Sequence, residues 1–402
     1  MNILFLTTIP PYPPNDGARI RTFNLIKALV RVHNIHLVSF VSETTRQEDI
    51  EALRDFVHDV ETVFRPSRYA FSDLVKGICT GDPFTIINYR SDEMSRVVKR
   101  KLAEGCDAVH CEHLNMAQYA PSDRDVVKVL DMHNIESEIM LRYSDAIWDP
   151  FRKTFARITA HKLARYEKEC VKRFDACIAV SRRDAEYLRA ACPNSIVVDN
   201  GVDLDLFDFR RDTVDEPRLV YSGWMKYHAN DDAARYFCSE IFPLIRKKIP
   251  ETTFSIVGKE PSEDVVRLGK MDGVEVTGAV PDVRPYVYGA SVYVVPLRVG
   301  GGTRLKILEA MAAGVPVVST SVGCEGLDVV PDRHLLVADT PDKFAEKTVR
   351  LLEDRELGCR LALEGRALVE KRYGWNVVCN KLVDLYDSLL NGMTTRERRI
   401  EG

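Results

Sequence analysis

Short apolar runs alternate with longer amphipathic segments along most of the chain. Several of these runs are apolar at every position, which is typical of parallel strands buried on both faces. The alternation predicts an α/β fold with doubly wound parallel sheets. The predicted strands are residues 2–8, 35–41, 107–113, 126–133, 176–181 and 195–199 in the first half, and 218–223, 252–258, 274–280, 292–297 and 315–321 in the second.

The strand–helix pattern occurs twice, and a polar stretch rich in turn residues at 199–218 separates the two occurrences. A length of 402 residues is sufficient for two domains. We therefore expect two Rossmann-like domains, residues 1–200 and 201–375, that face a central cleft. An amphipathic pattern at about 376–392 predicts a C-terminal helix that packs back on the first domain.

Composition narrows the class of protein. Apolar residues make up 45% of the chain and charged residues 29%, as in soluble globular proteins. A net charge of −4, from 60 acidic and 56 basic side chains, argues against nucleic acid as a partner. The ten cysteines contain no CxxC pair, which favours reduced thiols in a cytoplasmic protein over disulfides or a zinc site.

Two places in the first half combine polar chemistry with a predicted strand end, where open α/β sheets bind ligands. Gly17, in the proline-rich loop IPPYPPNDGARIRTF, would let a ligand approach the backbone at a helix start. An ordinary βα loop fits those residues equally well. His133 ends a strand and faces either a ligand site or the core. His110 and His113 are weaker candidates, and without a ligand pair at metal spacing we expect no metal site.

The most informative stretch is GGGTRLKILEAMAAGVPVV, residues 300–318. Gly301 and Gly302 remove side chains from the loop, and Thr303 predicts an N-cap for the helix that follows. The free N–H groups at the start of that helix favour a bound diphosphate, and Leu305, Leu308 and Ala312 form its apolar stripe. Gly223 ends the first strand of the same half and borders the same predicted site.

Three charged side chains lie in this helix. Arg304 and Lys306 add positive charge near the predicted diphosphate. Glu309 lies about 9 Å beyond Thr303 along the axis, at roughly 1.5 Å per residue, which suits a carboxylate that binds the hydroxyls of an attached ribose. The alternative is a capped surface helix with a structural Arg304–Glu309 ion pair, but a plain cap does not need three glycines.

Taken in order, these segments resemble the group-one glycosyltransferases of the GT-B fold, retaining family 4. The resemblance covers nearly the whole chain, and its LKILEAMAAGVPVVST block is the most specific part. The GGGTRLK run before LEAMA is similar to that of bacterial exopolysaccharide sugar transferases. The other matching pieces are PYPPNDGARIRTF, LDMHN, DNGVDLDLF, FSIVGKEP, VEVTGAVPDVRPYVYGA and RYGWNVV.

The resemblance implies a first domain for a glycan or lipid-linked acceptor and a second domain for a nucleotide-diphosphate sugar donor. It implies transfer with retention and without a metal or cofactor, in the cytoplasm or at the inner face of the membrane. By the same resemblance Gly17 contacts the donor phosphate or the acceptor, and His133 is the catalytic-loop histidine at the transferring sugar. Glu309 binds the ribose, and the Val283 backbone contacts the base.

The chain departs from the family pattern in two places. Many relatives carry a second glutamate where this chain has Gly301, and an arginine and a lysine where it has Trp224 and Asn230. We hypothesise that Arg304 and Lys306 replace that pair as the groups that grip the diphosphate. The departures keep a non-catalytic nucleotide-sugar-binding protein open as an alternative, alongside a sugar-nucleotide epimerase of the same fold. A nicotinamide dehydrogenase is disfavoured because GxGxxG does not follow the first strand.

The segment 151–175 predicts a helix rich in arginine and lysine. Such a face contacts anionic membranes in peripheral enzymes that act on lipid-linked sugars. The alternative is an ordinary solvated helix, which the acidic residues Glu167, Glu169 and Asp175 favour.

Overall fold

The computed structural model describes residues 1–67, 77, 80–122, 126–146, 149–210, 216–300 and 303–400, without the side chains of 146 and 390–400. The chain divides into two compact units. One comprises Met1–Asp199 and the chain from Val378 onward, and the other comprises Asn200–Val377. Each unit contains one parallel sheet, so the predicted doubly wound α/β fold is confirmed.

The first unit contains a seven-stranded sheet of order β3-β2-β1-β4-β5-β6-β7. Its strands are β1 Asn2–Thr7, β2 Asn34–Val41, β3 Asp59–Phe64, β4 Ala108–Glu112, β5 Val127–Met132, β6 Ala176–Ala179 and β7 Ile196–Val197. Its helices are α1 Gly17–Leu29, α2 Gln47–Arg54, α3 Phe84–Ile87, α4 Asp92–Ala103, α5 Glu136–Ala146, α6 Pro150–Val171 and α7 Arg182–Arg189, with a 3₁₀ turn at Ala117–Tyr119.

The second unit contains a six-stranded sheet of order β10-β9-β8-β11-β12-β13. Its strands are β8 Arg218–Ser222, β9 Thr253–Val257, β10 Val274–Gly278, β11 Val292–Val295, β12 Val317–Ser319 and β13 Leu336–Val337. Its helices are α8 His228–Tyr236, which runs through a π-helical turn Phe237–Ile241 into α9 Phe242–Arg246, then α10 Glu263–Leu268, α11 Arg284–Tyr288, α12 Leu305–Ala313, α13 Pro341–Glu353 and α14 Arg355–Arg372. The last helix, α15 Trp375–Ile400, starts in this unit and continues into the first.

The central strands explain why the apolar runs were informative. Every residue of β4, β5 and β11 is buried, because helices cover both faces of a parallel sheet. Two strands were missed by the sequence analysis. The edge strand β3 mixes acidic residues with apolar ones, and β13 has only two residues.

The helix α15 packs on the first unit through Tyr386, whose hydroxyl lies 2.9 Å from Nδ1 of His110. Lys381 of the same helix forms an ion pair with Asp199. No helix among the described residues has both the length and the apolar character that crossing a lipid bilayer requires.

Candidate functional site

The start of α12 differs from the predicted capped helix. Arg304, not Thr303, occupies the N-cap position, and no side chain caps the helix. The Thr303 hydroxyl instead accepts a hydrogen bond from the Asn200 side chain at 2.7 Å. The Thr303 prediction is therefore wrong, because a contact 103 residues away in sequence takes the hydroxyl that was expected to cap the helix. Gly301 and Gly302 lie outside the described residues.

The surroundings of position 300 require a glycine. Gly300 has φ of 131°, which L-amino acids rarely adopt, and a Cβ there would lie 2.7 Å from a guanidinium nitrogen of Arg304. The loop therefore keeps Arg304 close to its own backbone at the start of α12.

Lys306 reaches from α12 to the carboxyl end of β8. Its Nζ donates a hydrogen bond to Oδ1 of Asn230 at 3.0 Å and lies 4.2 Å from the ring centroid of Tyr221. A Cβ on Gly223 would lie 2.8 Å from the same nitrogen, so the amine rests directly against the Gly223 backbone. The predicted site residues Gly223 and Lys306 are thus brought together.

Glu309 follows Lys306 by one helical turn and is half-buried. No hydrogen bond or ion pair joins its carboxylate to another described side chain. Burial raises the pKa of the Glu309 carboxyl to about 7, against the opposing charge of Lys306. Burial also lowers the pKa of the Lys306 ammonium to about 7, and the Arg304 charge adds to that effect. Both groups therefore titrate near neutrality.

Two further predicted donor residues have clear positions. Val283 is the N-cap residue of α11, and its carbonyl accepts the amides of Tyr286 and Val287 at 3.1 and 3.2 Å. A backbone contact with a base would therefore use the Val283 N–H group. Leu305 is the first residue of α12 and is half-buried.

In the first unit, His133 follows β5 and is 9% exposed. Its Nε2 lies 2.7 Å from a carboxylate oxygen of Glu112, the last residue of β4. Glu112 also accepts a hydrogen bond from the Thr22 hydroxyl of α1. Burial lowers the pKa of the His133 imidazole to about 4, so the ring is neutral at physiological pH.

A second histidine lies beside His133. The ring centroids of His113 and His133 are 4.0 Å apart, and His113 has a left-handed backbone with φ of 66°. Non-glycine residues seldom adopt this conformation, which is concentrated at functional sites and tight turns. Burial lowers the pKa of His113 to about 3, and the neighbouring His133 contributes to the shift.

Behind these histidines lies an ion pair that the sequence analysis missed. Arg21 of α1 contacts both carboxylate oxygens of Asp131 in β5, with Nε at 3.1 Å and Nη2 at 3.0 Å. Both side chains are at most 1% exposed. A charged residue inside the apolar run of β5 was the available signal, because a buried carboxylate needs a partner.

Although no metal site was expected, side chains of the types that bind metals lie close together in the first unit. Ligand atoms of two groups lie within 4.8 Å of one another, namely Glu112, His113 and His133, and His110, Glu112 and Asp131. The expectation of no metal rested on the lack of a ligand pair at fixed spacing, whereas these residues come from two neighbouring strands, β4 and β5. Asp131 is paired with Arg21, and one oxygen of Glu112 accepts from Thr22, whereas its other oxygen and Nε2 of His133 have no hydrogen-bond partner among the described residues.

The first loop places Gly17 as the first residue of α1. Asp16 is the N-cap, and its carboxylate accepts the Arg19 amide at 3.0 Å. One of the helix-start amides that were expected to bind an anion is therefore already occupied by a protein carboxylate.

Solved structures show which class of fold these two sheets form. Sucrose-phosphate synthase from Thermosynechococcus elongatus superposes with a TM-score of 0.71 at 18% identity, over 98% of this chain and 100% of the other. HepE from Anabaena, solved with UDP and glucose, superposes with a TM-score of 0.66 at 16% identity, over 96% and 100%. At this identity the likeness establishes the fold, which is the GT-B arrangement of two parallel α/β sheets.

Family models and related sequences then identify the family. The model described as Glycosyltransferase Family 4 matches residues 15–206, and the model described as Glycosyl transferases group 1 matches residues 216–354. The chain belongs to the group 1, family 4 glycosyltransferases, and it is a glycosyltransferase. The predicted resemblance is thereby confirmed.

The related sequences include a 44.6 kDa protein of the cps region of Klebsiella pneumoniae, 23% identical over 395 residues, 92% of this chain and 96% of the relative. A Mycobacterium tuberculosis protein named GDP-mannose-dependent alpha-(1-6)-phosphatidylinositol monomannoside mannosyltransferase is 31% identical over 157 residues, 35% of this chain and 41% of the relative. The lipopolysaccharide core biosynthesis mannosyltransferase LpsB of Rhizobium meliloti is 23% identical over 278 residues, 64% and 78% of the two chains.

Proposed function

We propose that this glycosyltransferase transfers a sugar, with retention, from a nucleotide-diphosphate sugar to a glycan or lipid-linked acceptor in polysaccharide or glycolipid synthesis. The observation that carries the proposal is the pair of titratable groups on α12. An amine and a carboxylate lie one turn apart at the helix that follows β11, and neither has an ion-pair partner among the described residues.

The chemistry of this pair suits the two polar parts of a donor. The Lys306 ammonium, resting against Gly223, offers positive charge to a diphosphate. The Glu309 carboxylate accepts hydrogen bonds from ribose hydroxyls, which would satisfy a half-buried charge that lacks a protein partner. Gly223 has no side chain, which allows the amine to lie against its backbone, because a Cβ there would lie 2.8 Å from Nζ of Lys306.

His133 is assigned to the transferring sugar in this proposal. Its neutral ring cannot balance a developing positive charge as an anion would, so its contribution is hydrogen bonding and positioning of the sugar hydroxyls. A carboxylate oxygen of Glu112 lies 2.7 Å from Nε2 of the ring, and the His113 ring lies against it. Charge on the departing diphosphate is stabilised by Lys306 and Arg304.

Names of relatives support the choice of donors and acceptors to test. Several related sequences carry mannosyltransferase names, one of which states GDP-mannose and a phosphatidylinositol mannoside. HepE was solved with UDP and glucose. GDP and UDP sugars are therefore the first donors to test for this chain.

An exposed surface on α5 and α6 supports a lipid-associated acceptor. Phe151 at the start of α6 is 86% exposed, and Leu141, Tyr143 and Ile158 are also exposed. The basic residues Arg152, Arg165 and Lys168 lie on the exposed part of α6. Exposed aromatic and aliphatic residues beside arginine and lysine match the interface of an anionic membrane.

Thermal-shift binding of UDP-, GDP-, ADP- and dTDP-sugars tests the donor assignment. A ligand that binds the folded state raises the melting temperature, and one nucleotide class should do so in the wild type. Glu309→Ala should remove most of this shift, whereas Glu356→Ala, on the exposed first turn of α14, should leave it intact. A shift that persists in Glu309→Ala contradicts the ribose role. No shift with any donor contradicts the proposed donor site.

Flotation with vesicles tests the membrane surface. The wild type should float with phosphatidylglycerol vesicles and not with phosphatidylcholine vesicles. The double variant Phe151→Ser, Arg152→Gln should bind the anionic vesicles about tenfold more weakly, from the loss of one buried apolar side chain and one charge. Absence of wild-type binding to the anionic vesicles would remove the membrane contact from the proposal.

A further inference from the structure

The Lys306 amine is held by Tyr221 and by Asn230, which occupies the position of the family's second basic residue. Tyr221, on β8, is fully buried, and its hydroxyl donates a hydrogen bond to Oδ1 of Asn230 at 2.7 Å. The same oxygen accepts from the Lys306 amine at 3.0 Å. One amide oxygen thus joins the strand to the helix that carries the amine.

The orientation of the Asn230 amide is fixed by its neighbours. Its Nδ2 donates to the backbone carbonyl of Trp224 at 2.9 Å. Turning the amide over would place an NH₂ group against two donors, the Tyr221 hydroxyl and the Lys306 amine. The oxygen therefore has to face Lys306, and the amine has one defined position.

The contacts of Lys306 leave capacity for a ligand. An ammonium has three N–H donors, and one of them goes to Asn230. The other two have no hydrogen-bond partner among the described residues. The Tyr221 ring, 4.2 Å from the nitrogen, supports a positive charge without supplying a counter-ion.

We propose that Tyr221 and Asn230 are positioning residues that hold the Lys306 ammonium against Gly223, where it meets the donor diphosphate. This inference rests on the proposed function and adds to it. The place of the positive charge is set by β8 and α8, although α12 supplies the amine. Glycine at position 223 is also required for this arrangement, because a Cβ there would lie 2.8 Å from Nζ of Lys306 and 2.9 Å from Nδ2 of Asn230.

Calorimetric titration with UDP, GDP, UMP and GMP tests the inference. The readout is the ratio of diphosphate to monophosphate affinity, which isolates the second phosphate. Lys306→Met should reduce this ratio about 30-fold, the effect of losing a charged hydrogen bond. Tyr221→Phe removes one hydroxyl and should reduce the ratio about 3- to 10-fold, and Asn230→Leu should reduce it about 10-fold or more.

Tyr293→Phe is the matched control. Tyr293 lies on the neighbouring strand β11, is 1% exposed, and its hydroxyl accepts from the Ser222 amide at 3.1 Å. The substitution removes the same hydroxyl from an equally buried tyrosine, so it should lower stability without changing the affinity ratio. Equal effects of Tyr221→Phe and Tyr293→Phe on the ratio would overturn the positioning role.

A relocated charge gives a second test. The double variant Lys306→Met, Asn230→Lys places an amine beside Gly223 from α8 instead of α12. Its ratio of diphosphate to monophosphate affinity should recover to at least a third of the wild-type value. The outcomes separate the two levels of the proposal. If Lys306→Met loses the ratio but the Tyr221 and Asn230 variants keep it, only the positioning inference fails. If the wild type shows no preference for diphosphates, the proposed donor site fails with it.

Discussion

The carboxyl ends of the two sheets use ionisable residues in opposite ways. In the first unit, Asp131 is paired with Arg21, and Glu112 is engaged by Thr22 and His133. In the second unit, Lys306 and Glu309 lie on one helix with no ion-pair partner among the described residues.

The charge of Asp131 is therefore compensated within the first unit, although Oε2 of Glu112 and Nε2 of His133 have no hydrogen-bond partner among the described residues, whereas the charges of Lys306 and Glu309 are left for a ligand to compensate. Buried charges that are paired inside the protein hold strand ends and histidines in place. Half-buried charges without an ion-pair partner lower the stability of the free protein, and a ligand of opposite charge or suitable hydrogen bonding offsets that cost when it binds. Substitutions of the same kind should therefore have opposite consequences in the two units.

The largest expected effect on stability comes from Arg21→Met. Removing one partner of a buried ion pair leaves the Asp131 carboxylate uncompensated, which should cost about 3–5 kcal/mol. Lys306→Met is the counterpart in the second unit and should leave stability unchanged or increase it. Scanning calorimetry compares the two variants, and losses of similar size would break the comparison.

A large effect on turnover is expected from His133→Ala. A residue that positions the transferring sugar should lower kcat about 100-fold when removed, with nucleotide affinity within threefold of the wild type. Because the pKa of His133 is about 4, its contribution should not titrate between pH 5 and 8. A kcat profile that loses an ionisation near pH 6.5 in the variant would contradict the neutral ring.

Glu309→Gln should increase the stability of the ligand-free protein above pH 7 by roughly 1–3 kcal/mol. The carboxyl has a folded pKa of about 7 against 4.5 unfolded, so the folded state holds its proton more tightly. Below pH 4.5 the carboxyl is protonated in both states and does not affect the free energy of unfolding. Between pH 4.5 and 7 the unfolded state loses the proton first, so stability falls as the pH rises. Above pH 7 both states have lost the proton, and the loss of stability is constant. Denaturation at pH 8 and pH 4 should therefore show a difference only at pH 8.

A difference of the same size at both pH values would mean that Glu309 is not held in a raised-pKa environment. Glu356→Gln, at an exposed position, serves as the control and should show no difference at either pH.

The smallest effect is expected at the start of α1. Asp16→Ala removes the N-cap and should cost about 1 kcal/mol, whereas Asp16→Asn should retain most of the cap. Urea denaturation measures both variants. If Asn and Ala cost the same, the Asp16 carboxylate serves another partner, such as the Arg19 side chain 3.6 Å away.

Much of the fold was predictable because strands that are buried on both faces appear in the sequence as continuous apolar runs. The apolar runs of β1, β4 and β5 follow directly from burial on both faces. The edge strand β3 carries Asp59 and Glu61 and lacks such a run, so it was missed. The prediction that Thr303 caps the helix was wrong for a related reason. Its hydroxyl forms a hydrogen bond with Asn200, which is far away in sequence.

The alternation of strands and helices, the family and the residue types at the strand ends can all be read from the amino-acid sequence. These depend on local patterns and on blocks such as LKILEAMAAGVPVVST. Which groups touch depends on how the chain folds, because Arg21 and Asp131 lie 110 residues apart and Lys306 and Asn230 lie 76 apart. The fold also decides the charge state, since the pKa of Lys306 and that of Glu309 depend on burial, which no single stretch of sequence contains.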